Sequence, residues 1–254
     1  MSPEQPRTPK MPVRDVDLAI VTPMANEAAT VERFVTEVLA VCERFPFARL
    51  RWFVILDRVS TDTTGEQLQD IAAGELRLKV VWAPENRSVV DAYLRGYREA
   101  LAWGADWLLE LDAGFSHDPR SIPAFFKALA DGHDCAFGVR FGLEGARFDG
   151  SLKRRIVSQG GTWLANRMLG TKMTDMTSGF EIFTADALRA ILDAGIESRG
   201  PFFQTEIRTH AHELNWTQVP IHYRSPSHAI GRSALADAFA GLKRLRARRR
   251  TLRR

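Results

Sequence analysis

The feature that most narrows the fold is an alternation running through the first 140 residues. Short apolar runs, each closed by a polar cluster, are separated by longer amphipathic stretches. Residues 16–21 (VDLAIV), 52–56 (WFVIL), 78–82 (LKVVW), 107–112 (WLLELD) and 135–140 (CAFGVR) read as strands. Between them, helices are expected at about 28–45, after Thr63 or Thr64 (either can cap a segment carrying Glu66), at 89–103 and at 121–131. Nearly continuous apolar strands spaced by helices predict an α/β domain with a mostly parallel sheet covered on both faces. At 254 residues the chain suits one such domain. In such sheets ligands bind outside the carboxyl ends of the strands. Asn26 and Glu27 follow the first run, Asp57 the second and Asn86 the third, while Asp112 closes the fourth. That placement is the physical argument for a site.

The second half is less regular. Residues 151–169 read as an amphipathic helix with a basic beginning, Lys153 to Arg155. A turn at Ser178 and Gly179 leads into the strand-like FEIF; 204–214 reads as helical and 216–223 as a strand. No internal repeat or linker divides the chain before its end. Residues 1–14 lack the apolar core of a secretory signal and read as a disordered leader. No stretch approaches the roughly 18 consecutive apolar residues of a membrane-spanning helix. The net charge of +4 is concentrated at 241–254, GLKRLRARRRTLRR. This basic tail suits either an anionic membrane surface, with Leu242, Leu245 and Leu252 adding apolar contact, or a solvated terminus. Nothing with it reads or stacks on bases, so a nucleic-acid partner is not expected. Cys42 and Cys135 have neither metal-ligand nor disulfide spacing, which fits a reducing, cytoplasmic setting. There is no GxxxxGK[ST] and no GxGxxG after a strand, which argues against a P-loop ATPase and a standard dinucleotide site.

The segment LELDAGFSHDP at 109–119 carries the most chemistry. A carboxylate ending a buried strand can hold Mg²⁺ or Mn²⁺ against a diphosphate, whose oxygens complete the coordination. Alone, Asp112 reads rather as a cap of the following turn. Tyr93 and Tyr97, one helical turn apart, read as packing. His210 and His212, two apart on a helix, do not form a metal pair.

Five further segments join this one in a single order: IVTPMANEAATV, VILDRVSTDTT, SQGGTWLANRMLG, DMTSGFEIF and FFQTEIRTHAHELNWTQVPIHYR. Over residues 16–233 the chain resembles glycosyltransferase family 2, and within it the polyprenyl-phosphate mannosyltransferase branch. The resemblance implies a GT-A fold, with a nucleotide half at about 15–140 and an acceptor half at 141–240. It implies that Pro23, Glu27 and Asp57, with Asn86, contact the nucleotide, and that Asp112 holds the metal. Arg140, Arg155, Arg224 and Arg232 fall in segments that supply cations to an acceptor phosphate. Three positions depart from the pattern. Gly114 stands where a second metal-binding aspartate is usual, Arg58 replaces a nucleotide-loop aspartate, and Val89 and Val90 replace a glycine before the acceptor-side helix. Ser116, His117 or Asp118 is then available to complete the metal coordination, and His117 is equally a turn-stabilising residue.

The implied activity is inverting transfer of a mannose-like hexose from a GDP- or UDP-sugar to a polyprenyl phosphate, by a protein peripheral to the cytoplasmic membrane face. A lipid phosphate oxygen is already anionic and needs no base. A saccharide hydroxyl, the alternative acceptor, needs a carboxylate to deprotonate it, and Asp175 is the candidate or else a turn-former. Gly114 and Arg58 also support a third reading, a catalytically impaired nucleotide-sugar-binding or scaffold protein.

Overall fold

The computed structural model describes residues 12–224 and 232–252. After a 3₁₀ turn at Val13–Asp15, the chain forms β1 (Asp17–Met24), α1 (Val31–Cys42), β2 (Arg49–Leu56), α2 (Thr64–Gly74), β3 (Leu78–Trp82), α3 (Val89–Trp103) and β4 (Trp107–Glu110). It continues through α4 (Ile122–Ala130), β5 (Cys135–Val139), β6 (Arg147–Phe148), α5 (Leu152–Leu169), β7 (Glu181–Thr184), α6 (Ala185–Asp193) and α7 (Phe203–His210). The described part closes with β8 (Trp216–Pro220), β9 (His222–Tyr223) and α8 (Arg232–Leu252).

Seven strands form one sheet in the order β3-β2-β1-β4-β7-β5-β8, and β6 pairs with β9 in a small second sheet. All neighbours in the main sheet are parallel except β4–β7 and β7–β5, so β7 alone is reversed. The reversal follows from the path. The chain leaves β5 at its carboxyl end, runs through β6 and α5, and re-enters the sheet as β7 from that same end.

Alternation along the strands builds two cores. Ala19 and Val21 face one side with α3, α5, α6 and α7, where Tyr97, Leu188, Phe203 and Ile207 are buried. Leu18 and Ile20 face the other, against Phe34, Leu68 and Phe125 of α1, α2 and α4. Gly96 lets α3 press onto the sheet, because a Cβ there would lie 2.3 Å from Val21 Cγ1 and 3.2 Å from Ile55 Cγ1. Gly96→Ala should therefore cost about 1–3 kcal/mol through overpacking, read as a lower urea midpoint at unchanged slope.

The capping that starts and stops α3 is complete. The Ser88 hydroxyl accepts from the Asp91 N–H, and Gly104 ends the helix at φ 88°. Thr63 stands at the N-cap of α2 without a side-chain cap bond, while the Thr64 hydroxyl accepts from the Glu27 N–H at 2.7 Å. Residues 241–252 of the expected tail form the latter part of α8, with Leu242 and Leu245 buried in the core and Arg244 paired with Glu197 at 2.7 Å, and 253–254 lie outside the described residues. Residues 1–11 of the expected leader lie outside the described residues. No described helix is long and apolar enough to cross a membrane.

Candidate active site

The carboxyl ends of β1, β2 and β4 bring Pro23, Glu27, Asp57 and Asp112 into one cleft of about 280 Å³, walled by Val89 and Tyr93 of α3. Two loops are stitched together to make its floor. Asn26, at φ 57°, donates from Nδ2 to the Val59 carbonyl at 2.9 Å and accepts from the Thr61 N–H at 2.9 Å. Asp62 accepts from the Ala28 N–H and from the Thr64 hydroxyl, a bond that holds its carboxyl below the usual carboxylate range. Asp57 accepts from the Val59 N–H at 2.9 Å, which closes the turn after β2. Arg58 is exposed. Asn86 lines an adjoining groove with Arg87, Arg95 and Arg199, joined to the cleft through Ser88.

Asp112 is half-exposed, and its Oδ1 accepts from the buried Tyr93 hydroxyl. The tyrosine pair expected only to pack thus does more. Tyr97, one turn along, donates to Glu110, and Tyr93 stacks on Phe203 at 5.9 Å. Burial holds the Tyr93 hydroxyl protonated far above its ordinary range, so it serves as a fixed donor. On the other side of Asp112, His117 Nδ1 lies 3.7 Å from Oδ2. The His117 ring is buried between Phe180 and Tyr223, and burial, against the opposing pull of Asp112, holds its pKa down at about 4. Its Nδ1 has no hydrogen-bond partner.

Among the described residues no group of three or more His, Cys, Asp or Glu side chains is arranged to hold a metal ion. A half-exposed carboxylate with one oxygen fixed, beside an unpartnered neutral imidazole nitrogen, nevertheless fits a Mg²⁺ or Mn²⁺ whose remaining ligands come from a diphosphate and water. Gly114 explains why a second aspartate is missing. It sits at φ 73°, and a Cβ on it would lie 2.6 Å from both carboxylate oxygens of Glu27. The Glu27 side chain, held by the Thr30 hydroxyl at 2.6 Å, fills the space into which a side chain at 114 would start.

Of the expected phosphate-binding arginines, Arg140 and Arg155 meet around Phe141, with Tyr223 and Phe148 beside Arg140. The Arg140 guanidinium lies 5.4 Å from the Tyr223 and Phe141 ring centres, Arg154 lies 5.3 Å from Tyr223, and Arg155 lies 5.6 Å from Phe141. Arg224 is half-buried and donates to Asp118 at 2.5 Å, tying the loop after Asp112 to β9. The backbone of Arg232 opens α8, and its side chain lies outside the described residues.

Asp175 takes a different part from that of a base. It is fully buried and holds Arg140 in a two-point ion pair at 2.8 and 2.9 Å, with Thr177 beside it. Burial alone would raise its pKa, but the charge and hydrogen bonds of Arg140 outweigh this and bring it to about 2. A carboxylate so paired has little affinity for an acceptor proton. Asp175 fixes Arg140.

Behind the cleft lies a charged layer that the sequence analysis missed. Glu110 and Glu181 face each other across β4 and β7, both buried, with Arg208 Nη2 at 3.8 Å from Glu181 and Gln204 Nε2 donating to Glu110 at 2.6 Å. Burial raises the pKa of both carboxyls, and the charge of Glu181 adds to the shift at Glu110, while the charge of Arg208 opposes both. The available signal was a glutamate inside an otherwise apolar strand, LELD.

Fold and site together define a glycosyltransferase of the GT-A kind. The glucosyl-3-phosphoglycerate synthase of Mycobacterium tuberculosis, solved with Mn²⁺, UDP-glucose and phosphoglyceric acid, shares this fold at a TM-score of 0.65, over 91% of this chain and 80% of that one, at 18% identity. The glycosyl transferase family 2 profile matches residues 19–192. The undecaprenyl-phosphate mannosyltransferase of Micrococcus luteus is 31% identical over 189 residues, 74% of this chain and 77% of that protein. The polyprenol monophosphomannose synthase of Mycolicibacterium smegmatis is 24% identical over 220 residues, 86% and 81% of the two chains. The chain belongs to glycosyl transferase family 2.

Proposed function

We propose that this glycosyltransferase moves a mannose-like hexose, with inversion, from a GDP- or UDP-sugar to a polyprenyl phosphate at the cytoplasmic membrane face. The observation that carries this reading is the pairing of Asp175 with Arg140. The carboxylate best placed to deprotonate a saccharide hydroxyl is committed to an arginine, and the acceptor side is lined by guanidinium groups that attract an anion. A phosphate oxygen is anionic already. It can attack the anomeric carbon directly as the bond to the nucleoside diphosphate breaks.

The residues divide by task. Pro23, Glu27 and Asp57 line the nucleotide cleft, with Asn86 at its edge. Arg140, Arg155, Arg224 and Arg232 serve the acceptor phosphate. Asp112 holds Mg²⁺ or Mn²⁺, which when bound supplies Lewis-acid neutralisation of charge on the departing diphosphate. The relatives support the acceptor class by their names, undecaprenyl-phosphate mannosyltransferase and polyprenol monophosphomannose synthase. Mn²⁺ in the complex of the fold neighbour supports a divalent ion.

The test is incorporation of labelled hexose from GDP- and UDP-sugars into undecaprenyl phosphate, with Mg²⁺, with Mn²⁺ and with EDTA. One donor should give a lipid-linked product that EDTA abolishes. Transfer to a saccharide alone would move the acceptor to a hydroxyl. Nucleotide binding without turnover on any acceptor would favour the scaffold reading that Gly114 and Arg58 support.

A further inference from the structure

α5 carries its apolar residues on the outside. Leu152, Ile156 and Trp163 are 72, 61 and 67% exposed, the largest such group on one element among the described residues. At 3.6 residues per turn the three project within about 40° of one another, in a stripe along the helix. The buried positions Ser158, Thr162, Ala165 and Leu169 fall on a separate face, so the stripe is surplus to what anchors the helix. Arg155 borders one side of the stripe, and Arg167 and Lys153 the other. Between Leu152 and Leu169 there is no Asp or Glu at all. A shallow groove of about 520 Å³ separates Leu164 and Met168, on another face of α5, from α8, where Phe239 is 47% exposed beside Lys243 and Arg246.

We infer that the outer face of α5 is a docking surface for an anionic lipid bilayer. The charge decides the occupant: an apolar stripe whose charged neighbours along α5 are all cations complements a surface that is apolar beneath and negative above. Tryptophan is the side chain that settles best at such a boundary. The stripe also points the right way for function. α5 begins at the acceptor side, where Arg154 lies against Tyr223 and Arg155 against Phe141. A bilayer on this face would deliver a lipid phosphate to the arginine cluster without drawing its chain through the protein. This replaces the expected apolar contact of Leu242 and Leu245, which are buried; the side chain of Leu252 lies outside the described residues. The inference rests on the proposed lipid-phosphate acceptor.

Flotation of the full chain with vesicles of phosphatidylglycerol, against vesicles of phosphatidylcholine, tests it. The protein should float with the anionic vesicles only, and salt should weaken the binding. The double variant Ile156→Glu/Trp163→Glu should lose about tenfold or more in vesicle affinity. Both positions are exposed, so its melting temperature and its thermal shift with nucleotide should match wild type. Lys153→Glu/Arg167→Glu, which leaves the stripe intact, should lower binding to anionic vesicles as well. Wild type that binds nucleotide but not vesicles overturns the docking surface and leaves the transferase reading standing. Failure to bind any nucleotide strikes at that reading instead, whatever the vesicles do. Vesicle binding that survives both double variants overturns the assignment to α5. A wild-type dimer that Ile156→Glu/Trp163→Glu dissolves overturns it in favour of a second copy of the chain.

Discussion

Asp112→Asn should lower kcat/KM at least about a thousandfold while leaving the protein folded. The carboxylate is half-exposed, so an isosteric amide costs little packing, and its oxygen still accepts from the Tyr93 hydroxyl. What is lost is the negative charge facing the diphosphate site. Both readouts belong in one experiment. Wild type should gain thermal stability with nucleotide plus Mn²⁺ beyond that with nucleotide alone, by about 2.7 kcal/mol at a hundred times the dissociation constant. The variant should show only the nucleotide's own contribution. Turnover at the wild-type rate would remove Asp112 from the metal site and place the neutralisation of the diphosphate on arginines.

The neighbouring glycine bears on how that result is read. A protein with one carboxylate where two are usual invites the idea that an aspartate at 114 would restore a lost ligand. The backbone argues otherwise, since φ 73° is a conformation that side chains rarely adopt, and Glu27 already stands where the Cβ would go. In this chain Gly114 and Glu27 form one packing unit. A weak response to metal would therefore reflect a site with fewer protein ligands and a larger share from the nucleotide's phosphates.

The sheet was legible because its strands are apolar nearly throughout. Residues 78–82 and 89–103, read from pattern alone, coincide with β3 and α3. The polar residues at the strand ends announced the cleft for the same reason, since only there does such a strand change character. What stayed hidden depends on contacts between distant segments. Glu110 and Glu181 become a buried pair only through the β4–β7 register, and Arg208 reaches them from α7. Periodicity on one helix cannot show that Tyr93 and Tyr97 donate to carboxylates just beyond and at the end of β4. The two-residue β6 and the helix α6 were not expected at all. The dense arginines at the end suggested a free tail, while the two leucines that root α8 in the core look like ordinary members of a basic helix.

Asp175 is the residue for which sequence and structure lead to opposite experiments. As a general base, Asp175→Asn would leave stability intact and remove activity on a hydroxyl acceptor. As the partner of Arg140 it should instead destabilise the protein by about 3–5 kcal/mol, because a guanidinium only 3% exposed is left without its counter-charge. For a chain of this length that is a fall in melting temperature on the order of 10 °C. The pH dependence has a definite sign. The folded carboxyl, at about 2, lies below its ordinary value of 3.8. The stability it contributes is therefore fully present above about pH 4 and is lost only as pH falls toward 2. Between pH 5 and 9 the deficit of Asp175→Asn should accordingly stay constant, as read by urea denaturation at several pH values. Activity should fall with the displacement of Arg140 and rise in KM for the acceptor, with no acidic limb near neutrality that belongs to residue 175. A variant as stable as wild type, with kcat abolished and KM unchanged, would return Asp175 to the role of base and move the acceptor from a phosphate to a hydroxyl.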